Sequence, residues 1–131
     1  MDDLTKRYGS WALVTGSTSG IGEAFAQQLA KQGFNLVLIS RDQNKLDKTK
    51  ININEQHDVQ IRTLAIDLFQ LDAIDKIKQQ TSDLEIGLVI PNAGTENTGE
   101  LVDNDLLAET RLIHLNMTLP MQMSHHFGQK M

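Results

Sequence analysis

At 131 residues and 14.6 kDa the chain has room for one ordinary domain, and 40% hydrophobic with 22% charged residues is the balance of a globular protein. A formal charge of −5 and a pI near 5.2 count against a nucleic-acid binder, which needs a basic face. With no cysteine there is no thiolate or disulfide chemistry, and adjacent His125 and His126 give no familiar metal-ligand spacing.

The opening "MDDLTKRYGS" is polar, without the apolar run of a signal peptide, and no stretch reaches the roughly 18 apolar residues of a membrane span. No membrane partner and a cytoplasmic location are therefore expected.

Taken in order, "WALVTG" (Trp11 to Gly16) reads as a strand running into a glycine. Ile21, Phe25 and Leu29 then mark the apolar stripe of a helix that Gly33 stops. "NLVLIS" is nearly continuous in apolar residues, the pattern of a strand buried on both faces. A polar helix is expected over 44–56, with Leu46 and Ile53 on its inner side. The third strand is expected over 60–67, followed by a helix striped by Leu71, Ile74 and Ile77. The fourth strand is expected over 86–94, broken by Pro91, and a last helix over 106–127.

Strands alternating with helices of this length predict βαβ units in an α/β, Rossmann-like doubly wound parallel sheet. The whole chain, 1–131, is expected to be a single dinucleotide-binding domain, incomplete at its C-terminus after about four strands. Its fourth strand is expected at a sheet edge, where its apolar residues call for a cover.

The stretch "LVTGSTSGIG" leaves a strand and enters a helix. Gly16, Gly20 and Gly22 allow a tight turn and close backbone approach. The helix start after them offers unpaired N–H groups and the positive end of a dipole to an anion, and Thr18 and Ser19 add hydroxyl donors. This context turns a glycine spacing into a dinucleotide-site candidate.

The pattern Thr15-Gly16-x-x-x-Gly20-x-Gly22 resembles the cofactor signature of the classical short-chain dehydrogenase/reductase family. The resemblance implies an oxidoreductase that moves hydride to or from a carbonyl or alcohol substrate. Three further segments carry it. Asp67 matches the acid that meets the adenine, with Leu68 beside it. "PNAG", holding Asn92, Ala93 and Gly94, resembles the family's NNAG with Pro91 in place of the first Asn. Asn116 falls where the family keeps a catalytic Asn on a long helix. Ile21 completes the implied cofactor set. The N-terminal part is especially similar to the steroid and long-chain acyl reductase branch.

Charge argues cofactor choice. After the second strand an acid commonly binds the ribose 2′-OH, but this chain has Ser40 followed by Arg41. A guanidinium suits a 2′-phosphate, so NADP(H) is expected over NAD(H), with Asp42 able to blunt the preference by pairing with Arg41.

Pro120 lies four residues after Asn116 and has no N–H, so the last helix is expected to kink there. Met117, Met121 and Met123, with Leu112, Ile113 and Leu119, read as core or a helix–helix interface, and a homo-oligomer is expected. His114 is assigned no catalytic role. The family's Tyr-x-x-x-Lys is absent, the single tyrosine being Tyr8, and so is a catalytic Ser after Asn116 on a fifth strand. The chain is therefore expected to be the cofactor-binding part of such an enzyme, inactive alone. The alternative is a non-catalytic NADP(H)-binding or dimerising module.

Overall fold

The computed structural model describes residues 10–17, 20–92 and 105–131. In chain order the elements are β1 (Trp11–Thr15), α1 (Gly20–Lys31), β2 (Asn35–Ser40), α2 (Gln43–Asn54), β3 (Ile61–Ala65), α3 (Ala73–Thr81) and β4 (Ile86–Pro91). They are followed by α4 (Leu106–Ile113), a π-helical segment (His114–Thr118) and α5 (Leu119–Lys130).

The four strands form one parallel sheet in the order β3-β2-β1-β4. The first three strands are laid down in one direction and β4 returns to the other side of β1. A crevice therefore opens beyond the C-terminal ends of β1 and β4, where the order reverses.

Strand alternation builds two cores. Ala12, Val14, Leu36 and Leu38 face one side with Ala26 and Leu29 of α1 and Leu46 and Ile53 of α2. Leu13, Val37 and Ile39 face the other with Ile74 and Ile77 of α3 and Leu119, Met123 and Phe127 of α5. Because β2 is covered on both faces, Leu36 to Ile39 are all buried, as its continuous apolar run predicts.

Local chemistry sets the helix ends. At the end of α1, Gly33 adopts φ 94°, and its N–H meets the Ala30 carbonyl at 3.0 Å while the Phe34 N–H meets Leu29 at 3.0 Å. This Schellman arrangement satisfies carbonyls the helix leaves open and sends the chain into β2. Asp42 caps α2, its carboxylate accepting the Lys45 N–H at 3.2 Å.

Several expectations need correction. The buried face of α1 is Gly22, Ala26, Leu29 and Ala30, whereas Ile21 is 68% and Phe25 43% exposed. Small residues let the helix backbone lie close to β1 and β2, and the large side chains fall outside that contact. Leu71 precedes α3 and is exposed. Pro91 does not break β4 but pairs with Thr15 as the strand's last residue. As an edge strand, β4 tolerates the missing N–H.

The expected kink before Pro120 takes the form of a π turn. The Leu119 N–H reaches back five residues to the His114 carbonyl, and the helical path continues to Lys130. A widened turn is one of the ways a helix absorbs an interrupted hydrogen-bond ladder. Along this stretch Leu119 and Met123 are core, while Ile113, Met117 and Met121 are exposed.

Candidate functional site

The crevice at the strand-order reversal collects the glycine motif. Gly16 follows β1 with φ 65°, a left-handed conformation that favours glycine, and its N–H meets the Ile39 carbonyl at 3.0 Å. Gly20 opens α1 with φ 55° and has open space where a Cβ would stand. Gly22 is different. A Cβ there would overlap the Gly16 carbonyl oxygen and lie 2.8 Å from Asn92 Nδ2. The Asn92 amide also approaches the Gly16 carbonyl, at 3.5 Å.

Thus the end of β1, the first turn of α1 and the residue after β4 converge. The start of a twelve-residue helix is directed at this convergence, supplying N–H groups and a positive dipole end. Those features suit a pyrophosphate. Thr18, Ser19, Ala93 and Gly94, expected at the same place, lie outside the described residues. Ile21 follows Gly20 with its side chain mostly exposed.

A second group sits at the C-terminal ends of β2 and β3. The Ser40 carbonyl accepts the Ile66 N–H at 2.9 Å, tying the two exits together. Arg41 is exposed beyond it. Asp67 is half-buried and arranges a turn, with Oδ1 accepting the Phe69 N–H at 3.0 Å and Oδ2 facing Gln70 Nε2 at 3.4 Å. Leu68 is buried in the core beside it.

Asn116 is exposed and lies in the middle of the π segment, on a different element from the other candidates. Sequence reasoning passed over Ser17. It is fully buried beneath the glycine turn, with no hydrogen-bond partner for its hydroxyl among the described residues. A small residue inside a glycine-rich loop is the only signal that pointed to it.

Ionisation is perturbed at the other end of the sheet. Arg62, early in β3, clasps Asp83 through two hydrogen bonds of 2.8 and 2.9 Å. The hydrogen bond from Arg62 holds the Asp83 carboxyl below the usual range, and the same contact raises Arg62. This pair is remote from the crevice and braces the start of β3 against the turn before β4.

A family model described as short chain dehydrogenase matches residues 10–131. The chain belongs to the short-chain dehydrogenase family. A very-long-chain 3-oxoacyl-CoA reductase from Mus musculus is 51% identical over 88 residues, which are 67% of this chain and 28% of that protein.

Two solved members of the family share the fold. A bulky-bulky ketone specific alcohol dehydrogenase from Comamonas testosteroni superposes with a TM-score of 0.86 at 31% identity, over 92% of this chain and 49% of its own. A short-chain dehydrogenase from Sphingobium yanoikuyae, solved with NADPH, gives a TM-score of 0.83 at 30% identity, over 89% of this chain and 46% of its own. The match thus spans 28% of the mouse reductase and under half of each solved relative. Among the described residues no helix is long and apolar enough to cross a membrane.

Proposed function

We propose that this chain is the cofactor-binding part of an NADP(H)-dependent oxidoreductase acting on a carbonyl or alcohol substrate. The observation that carries the reading is the crevice at Gly22, where backbone and Asn92 leave no room for a side chain at the mouth of a helix N-terminus. That close packing of helix on strand is the part played by the last glycine of a dinucleotide motif, and it sets the N-terminus of α1 at the crevice, where its N–H groups suit a pyrophosphate.

In this reading Gly16, Thr18, Ser19, Gly20, Ile21 and Gly22 hold the pyrophosphate and its ribose, and Asn92, Ala93 and Gly94 complete the cofactor-binding set. Asp67 and Leu68 flank the adenine, while Ser40 and Arg41 receive the 2′-phosphate. When bound, the cofactor supplies or accepts the hydride. Asp42 supports the preference for NADP(H), because its carboxylate is turned onto the Lys45 N–H instead of Arg41. The NADPH complex of a relative agrees with it.

Asn116 is the one candidate for the reaction itself, as a positioning group on the π segment. Tyr8 is the only tyrosine, so the 131 residues hold no Tyr-x-x-x-Lys to protonate a carbonyl oxygen. The chain alone is accordingly read as binding without turnover. A long-chain acyl or other bulky carbonyl is the substrate class that the mouse reductase and the Comamonas testosteroni dehydrogenase favour.

Exposed Ile113, Met117 and Met121 on one helical stretch support self-association as part of the same reading, and a cytoplasmic location accompanies it. The test is a titration of the purified chain with NADPH and with NADH, followed by calorimetry. Tighter binding of NADPH is expected. No heat with either dinucleotide overturns the reading, and equal affinity for both overturns its NADP(H) part.

A further inference from the structure

Arg41 stands between the last residue of β2 and the cap of α2, with two carboxylates close to it in the chain. Asp42 Oδ1 accepts the Lys45 N–H at 3.2 Å. Asp47 Oδ1 accepts from Gln43 Nε2 at 2.8 Å, and the same amide nitrogen reaches Thr63 Oγ1 on β3 at 3.2 Å. Among the described residues neither acid forms an ion pair with Arg41.

A Gln–Asp pair four residues apart is by itself an ordinary helix-surface contact. The bond to Thr63 is not local. Both N–H groups of one amide are engaged, one on α2 and one on β3, so the side chain and the Asp47 carboxylate are fixed relative to the sheet. Asp47 lies six positions after Arg41 along the cap and helix, a rise of about 9 Å. Two flexible side chains can shorten that gap if nothing restrains the acid.

We propose that Gln43 is a specificity-positioning residue. By clasping Asp47 and Thr63 it keeps a carboxylate from competing with the cofactor's 2′-phosphate for Arg41. The inference rests on the NADP(H) reading above and deepens it. It assigns the cofactor preference to the partners of the neighbouring acids as well as to the arginine.

The test is a mutant cycle of Gln43→Ala, Asp47→Asn and the double variant, with Kd measured for NADPH and for NADH. Gln43→Ala is expected to weaken NADPH by about two- to fivefold, the span of an exposed ion pair, and to leave NADH unchanged. Asp47→Asn alone is expected to bind as wild type, and the double variant to recover wild-type NADPH affinity. Thr63→Val, which removes the tether to β3, is expected to repeat the Gln43→Ala pattern more weakly.

A double variant as weak as Gln43→Ala, or equal losses for both dinucleotides, overturns the proposal in favour of a merely structural contact. A wild-type chain that does not prefer NADPH overturns the NADP(H) reading instead, before any variant is compared.

Discussion

Gly22 backs onto Asn92 across the crevice so closely that a Cβ at position 22 would lie 2.8 Å from the Asn92 side-chain nitrogen. The two residues are far apart in the chain and meet because β4 is laid beside β1. The contact joins the helix that begins within the glycine motif to the strand exit on the other side of the reversal.

Gly22→Ala therefore forces the first turn of α1 away from β1 and β4. Overpacking of this kind costs about 1–3 kcal/mol, and the lost geometry removes dinucleotide binding. Gly20 differs in kind: its φ is 55°, but a Cβ there meets nothing. Asn tolerates that conformation, so Gly20→Asn is expected to cost under about 1 kcal/mol. Urea unfolding of both variants checks the order, which fails if Gly20→Asn is the more damaging.

Asp67 is engaged before any ligand arrives, because its carboxylate holds the turn through the Phe69 N–H at 3.0 Å. Asp67→Asn keeps an acceptor oxygen and is expected to preserve the turn. Asp67→Ala leaves that N–H without its partner and is expected to cost about 1 kcal/mol. If the residue served the adenine alone, both variants would fold equally well and differ only in cofactor affinity. Thermal unfolding without dinucleotide separates the two cases.

Much of the fold was legible, and the misses share a cause. The unbroken apolar run of β2, the Leu46–Ile53 spacing of α2 and the stop at Gly33 each report a local physical constraint. The inner face of α1 does not, because Gly22, Ala26 and Ala30 carry little hydropathy signal while Ile21 and Phe25 carry a strong one. Pro120 announced a missing N–H, but a bend and a widened turn both answer it, and the sequence does not choose between them. At the site, the glycine spacing could be read directly. The closeness of Gly22 to Asn92, and the clasp of Gln43 on Thr63, come only from strand order and register.

That misreading of α1 gives its own measurement. Phe25 is 43% exposed and Ala26 fully buried, so the larger residue should be the more dispensable. Phe25→Ser is expected to cost within about 1 kcal/mol, whereas Ala26→Leu forces extra methylene groups between helix and sheet for about 1–3 kcal/mol. Equilibrium denaturation of the two variants should rank them in that order, the reverse of what the Ile21–Phe25–Leu29 stripe implies.

Finally, the Arg62–Asp83 clasp makes stability depend on pH in a definite direction. Arg62 also donates to the Gln80 carbonyl at 2.9 Å and lies 5.9 Å from the centre of the Trp11 ring, so it is fixed from several sides. The folded-state pKa of Asp83 is lowered, chiefly by the hydrogen bond from Arg62. A lowered carboxyl contributes stability that is fully present above its unfolded value, near 3.9, and is lost as pH falls through the folded value. The pair is exposed and its contribution is small. Asp83→Asn should therefore lower the urea midpoint slightly at pH 7, and its difference from wild type should shrink below about pH 4. A difference that stays constant down to pH 2 would assign the effect to packing of the Asp83 side chain and not to its charge.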